Sequence, residues 1–81
     1  MMEREELLQW AIRGISEEIY ELDRKVRKGK GYLTDYYLGR QPKTKKSQQE
    51  IEQIVNEKQK QIAELEKKRN DLQWESIERE E

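Results

Sequence analysis

Apolar residues recur along the first third of the chain at alternating spacings of four and three: Leu8, Ile12, Ile15, Ile19, Leu22 and Val26. That alternation is the a/d seam of a coiled coil, a narrow stripe that turns toward one partner helix. Glu3, Glu5 and Glu6 stand where the positive end of a helix dipole would be, and Lys25, Arg27 and Lys28 followed by Gly29 have the make-up of a helix end. The pattern predicts a helix over about residues 2–28.

A second seam follows at Ile51, Val55, Ile62, Leu65 and Leu72, with Lys58 and Arg69 occupying two of its positions and Ile54, Trp74 and Ile77 lying off it. Ser47-Gln48-Gln49-Glu50 fits a capping box, in which serine and glutamate each satisfy an unpaired backbone N–H. This predicts a helix over about residues 48–79. Residues 29–46 between the helices hold Gly29, Gly31, Gly39 and Pro42 and are expected to bend. Helix–helix connections usually take about 2–8 residues, so so long a bend is expected to have a fold of its own. Tyr32, Leu33, Tyr36, Tyr37 and Leu38 are its apolar matter, Thr34-Asp35 and Gly39 are placed to cap a single helical turn, and Gln41 before Pro42 should be extended.

The fold class expected is all-α: one domain, residues 1–81, forming an antiparallel helical hairpin with coiled-coil packing. Leu8 to Val26 and Ile51 to Arg69 each span 18 residues, so at ~1.5 Å per residue the two seams rise together. That register sets Val26 beside Ile51 and brings the far end of the first helix to Leu72.

Off the first seam, Leu7, Trp10 and Gly14 form a second line at spacings of three and four. In an antiparallel pairing Met1, Met2, Leu72, Trp74 and Ile77 come to the same open end. Two tryptophans are a large apolar content for a two-helix core, and a glycine inside a helix costs about 1 kcal/mol relative to alanine unless something approaches it closely. The self-association set read from this is Leu7, Trp10, Gly14, Ile54, Trp74 and Ile77, and the assembly expected is a homodimer forming a four-helix bundle.

Composition narrows the chemistry. Hydrophobic residues make up 32% of the chain and charged residues 43%, so a single hairpin has little to bury. Cysteine and histidine are both absent, which removes disulfides, thiol chemistry, Cys/His metal sites and histidine acid–base catalysis. Gly29-Lys30-Gly31 has the spacing of neither a dinucleotide fingerprint nor a P-loop. No catalytic residue, cofactor or metal is therefore expected. No apolar run approaches the roughly 20 residues of a membrane span and no signal-peptide core opens the chain, so a cytoplasmic protein without a membrane partner is expected.

Charge is polarised. The stretch from Arg24 to Lys46 holds nine Lys/Arg against Asp35 alone, a net of +8, and since the chain totals −1 the remainder carries −9. Clustered cations beside tyrosines suit phosphate backbones and unpaired bases. The nucleic-acid or anion contact set is Lys28, Lys30, Tyr32, Tyr36, Tyr37, Arg40, Lys43, Lys45 and Lys46. A sequence pI near 5.7 weighs against a dedicated nucleic-acid binder.

The run Gln49-Glu50-Ile51-Glu52-Gln53-Ile54-Val55-Asn56-Glu57 resembles the second helix of the small sporulation-regulatory aspartyl-phosphate phosphatases. Those are antiparallel helical hairpins whose Ser-Gln-Glu-Leu-Asp motif opens that helix. Here Gln48 stands at the family's serine and Glu52 at its functional aspartate, and the bend is longer and more basic. The resemblance implies a hairpin whose phosphatase activity would depend on Glu52. The residues themselves favour a non-catalytic interaction or scaffold module that pairs with itself, with another helical protein as a further partner. Nucleic-acid binding is the second reading.

Overall fold

The computed structural model describes the backbone of residues 3–80 and the side chains of residues 3–75. Two helices, α1 (Arg4–Tyr37) and α2 (Gln48–Glu80), pack into an antiparallel hairpin measuring 56 × 21 × 15 Å. An Arg4–Glu75 ion pair closes the open end, and at the bend the Tyr37 hydroxyl reaches Glu52 Oε1. Neither described helix is long and apolar enough to cross a membrane.

The first helix does not stop at residue 28; it continues through Gly29 and Gly31 to Tyr37. The seam explains this, because the alternation of four and three that begins at Leu8 runs on past Val26 to Gly29, Leu33 and Tyr36. Tyr32, Leu33 and Tyr36 pack against a cluster of Val26, Ile51 and Val55. Two helical glycines cost about 1 kcal/mol each, and full burial of a large apolar side chain gives about 1.5–3 kcal/mol. Even half-burial of three such side chains offsets the glycines. Lys25, Arg27 and Lys28 therefore sit inside α1 rather than in its last turn, which holds no basic residue.

Gly29 is a seam position with its side chain deleted. A Cβ built there would lie 2.5 Å from Val55 Cγ2 and 3.7 Å from Ile51 Cγ2, so the glycine admits α2 more closely than any other residue could. The true stop is Gly39, at φ 74°. Its N–H donates to the Tyr36 carbonyl at 3.1 Å and the Arg40 N–H donates to the Asp35 carbonyl at 2.8 Å, the paired bonds of a Schellman motif. Gly39→Ala is expected to lose about 1–2 kcal/mol, the left-handed penalty for an L-residue; urea unfolding within ~0.3 kcal/mol of the parent would show that the cap does not hold α1 closed.

The longer α1 also resets the register. Val26 and Ile51 share a cluster as expected, but Gly29 lies against Val55 and the Arg69 guanidinium donates to Ser16 Oγ at 3.3 Å. These pairs bring Arg69 toward the Ile15 turn, a shift of about one to two turns from the expected pairing, while the Arg4–Glu75 ion pair stays close to that pairing. The two added turns of α1 need partners, and the shift gives Leu33 and Tyr36 the first turns of α2. Those turns begin at the expected cap: Ser47 Oγ accepts from the Glu50 N–H at 3.2 Å.

The bend proper is short, residues 38–47. Pro42 is buried, the Tyr36 hydroxyl donates to the Lys46 carbonyl at 2.8 Å, and the Lys46 N–H donates to Thr44 Oγ1 at 3.3 Å. Burial elsewhere is thin. Besides Pro42, the buried apolar side chains among the described residues are Leu8, Val26, Ile51 and Val55; the remaining apolar seam residues, Ile12 to Leu22 and Ile62 to Leu72, are half-exposed.

Candidate functional site

The two ends of the hairpin differ in chemistry. At the open end Leu7, Trp10 and Trp74 are exposed, the tryptophans at 58% and 64%. The Arg13 guanidinium stands 5.6 Å from the centroid of the Trp10 ring, a cation–π contact on the surface of one helix. Gly14, one turn beyond Trp10, is also exposed, and a Cβ there would meet nothing within 4 Å. Leu7, Trp10 and Gly14 thus form one line on α1. Ile54 does not join it: it lies 20 residues before Trp74 on α2, about 30 Å along the axis, beside the bend. The Ile77 side chain, Met1 and Met2 lie outside the described residues.

Between the ends, Gly14, Glu17, Glu18 and Glu21 of α1 face Glu64 and Lys68 of α2 across a shallow groove. Among the described residues no group of three or more carboxylates is placed to hold a metal ion. Glu52, the position carrying the phosphatase resemblance, is half-buried, and its Oε1 accepts from the Tyr37 hydroxyl and from the Gln48 amide, each at 3.4 Å.

No protein-family model, curated protein or solved structure matches this chain. The bearing on function comes from the side chains themselves.

At the bend end the expected cations separate into two groups. Lys28 and Lys46 line a concavity of about 400 Å³ together with Lys25, Lys58, Tyr32 and Thr44. Lys30, Arg40, Lys43 and Lys45 are exposed and do not line it. Of the three tyrosines, Tyr36 is packed on the core with its hydroxyl engaged and Tyr32 forms part of the pocket wall; Tyr37 alone is exposed, at 73%, with its hydroxyl on Glu52. A stacking platform of three free rings does not form. Sequence reasoning missed Lys25 and Lys58, the first because it was assigned to a helix end, the second because it reads as a seam defect. The signal was the spacing Lys25, Lys28, Tyr32, which sets all three along one side of a helix once α1 is known to continue.

Proposed function

We propose that the protein is a non-catalytic interaction module that assembles as a twofold homodimer through the Leu7–Trp10–Gly14 line of α1, joining two hairpins into a four-helix bundle. The observation that carries this reading is the line Leu7, Trp10 and Gly14 on α1, in which two exposed large apolar side chains run beside a helical glycine. Gly29 has an intrachain reason to lack a side chain, the close approach of Val55; Gly14 and Gly31 have none, and of these only Gly14, which weakens its helix by about 1 kcal/mol, stands one turn from an exposed tryptophan. A second copy supplies the reason. With the twofold axis level with residue 12, each Trp10 lies over the other copy's Gly14, and the patch is self-complementary as an isologous contact requires. Support also comes from the small set of buried side chains in one hairpin and from the large exposed tryptophans, since aromatic residues are enriched at interfaces.

Gly14→Leu separates this reading from its alternative. In a lone hairpin the leucine enters open space on a helix it favours, and stability rises by up to about 1 kcal/mol. In the dimer it occupies the seat of Trp10, and association is expected to weaken at least tenfold. Sedimentation equilibrium at micromolar concentration reads both; a parent that remains a 9.9 kDa monomer, or a variant that dimerises as well as the parent, removes the proposal.

A further inference from the structure

We infer that the concavity beside Gly29 binds a polyphosphate group, held by Lys25, Lys28, Lys46 and Lys58 with the hydroxyls of Tyr32 and Thr44.

The site is built by three segments far apart in sequence. Lys25, Lys28 and Tyr32 come from one side of α1, Lys58 from α2, and Thr44 and Lys46 from the bend. Gly29 forms part of the wall, so the glycine that admits α2 also hollows the surface between the helices. Ile51 and Ile54 supply an apolar side. The volume falls in the range of small-molecule sites, which run from about 300 to 1,000 Å³.

Four lysines line this space and no acidic residue does. The ion pairs among the described residues are Arg4–Glu75, Arg13–Glu17 and Arg27–Asp23, so none of the four lysines is neutralised by one of them. Like charges gathered around a concavity repel one another, and a multivalent anion converts that repulsion into attraction. Charge-assisted N–H···O bonds to phosphate oxygens are roughly twice as strong as neutral ones. The ligand favoured is a compact one with several phosphates. A single phosphate carries only about two negative charges against the four lysines, while an extended nucleic-acid backbone would run along the exposed bend lysines as well. The tethering of Lys46 matters here: its carbonyl holds the Tyr36 hydroxyl and its N–H holds Thr44, so the bend reaches the site with its backbone fixed.

Inorganic tripolyphosphate and magnesium-free ATP are the probes, titrated calorimetrically against the full chain at about 50 mM salt, where screening is weak. Both are expected to bind, ATP more tightly if its base uses the Ile51–Ile54 side and equally if the phosphates alone are held. Lys25→Gln with Lys58→Gln should weaken binding at least tenfold, while Lys43→Gln with Lys45→Gln, which removes the same charge from outside the concavity, should change it less than about threefold. Circular dichroism checks that both variants keep the parent's helix. No binding of either probe overturns the inference, as does an equal loss in the two double variants. A single-stranded oligonucleotide that binds more tightly than tripolyphosphate and depends on Lys43 and Lys45 overturns it in favour of nucleic acid. Because the site lies at the bend and the Trp10 line at the open end, a monomeric parent that still binds tripolyphosphate would remove the dimer and leave this site standing.

Discussion

Gly29→Ala is expected to destabilise the hairpin by up to about 2 kcal/mol, whereas Gly31→Ala, two residues on in the same helix, should stabilise it by about 0.5–1 kcal/mol. Both gain the same helix propensity. They differ in what the new methyl meets. At Gly31 there is nothing within 4 Å; at Gly29 the methyl would sit 2.5 Å from Val55 Cγ2. Val55 cannot turn away, because a β-branched residue in a helix holds essentially one rotamer and this one is only 5% exposed. The helices must part, and overpacking of this kind costs about 1–3 kcal/mol. Val55→Ala removes the obstacle, so in that background Gly29→Ala should reverse sign and stabilise. Urea unfolding of the four proteins closes the cycle, and a non-additive coupling of about 1–3 kcal/mol is the expected result. If Gly29→Ala stabilised as much as Gly31→Ala, the helices would not be held at the spacing that Gly29 implies. In a domain of this size 1 kcal/mol moves the melting temperature by about 4–8 °C, so the difference is easily read.

Gly29 also explains which parts of the fold were legible in the sequence. The two seams were, since Leu8 to Val26 and Ile51 to Leu72 each keep the coiled-coil alternation, and so was the Ser47 cap. The end of α1 was not. Glycine after a run of cations is the usual signature of a helix end, and here the same residues serve an interhelical contact. Nothing local separates the two cases; what does is the seam, since Gly29, Leu33 and Tyr36 continue the alternation without a missed beat. The register expected from the matching 18-residue spans keeps Val26 near Ile51 but leaves out the added turns of α1. Leu7, Trp10 and Gly14 share a face because helical spacing dictates it, whereas Ile54 and Trp74 stand about 30 Å apart along α2. The basic pocket was hidden for a different reason. Its lysines come from three segments, and only the corrected register brings Lys58 to the level of Lys25 and Lys28.

Gly31→Pro should have the largest effect of any single change, because it removes the condition for that register. Proline lacks the N–H that a helix interior requires, and its ring meets the carbonyl four residues earlier, here that of Arg27, at a cost of about 3 kcal/mol or more. Open space around Gly31 means that this cost comes from the backbone alone. The last turns of α1 should melt, releasing Tyr32, Leu33 and Tyr36 from the Val26–Ile51–Val55 cluster and the Tyr36 hydroxyl from Lys46. What remains is a helix ending near residue 28, and its best pairing is the one the seams alone favour, with Val26 level with Ile51 and Leu8 with Arg69. Reaching it requires α2 to slide by one to two turns, about 5–10 Å at ~1.5 Å per residue. The slide gives up the Arg69–Ser16 bond and the fit of Val55 against Gly29, but sets Leu22 opposite Val55, Ile15 opposite Ile62 and Ile12 opposite Leu65, with Lys58 and Arg69 facing Ile19 and Leu8. Spin labels on Gln9 and Gln59, both exposed, report the change directly: their separation should shorten by roughly that distance while the helix signal falls by about two turns. An unchanged separation with stability within about 1 kcal/mol of the parent would mean that residues 29–37 do not set the register, and that the fit between Gly29 and Val55 is a consequence of the pairing rather than its cause.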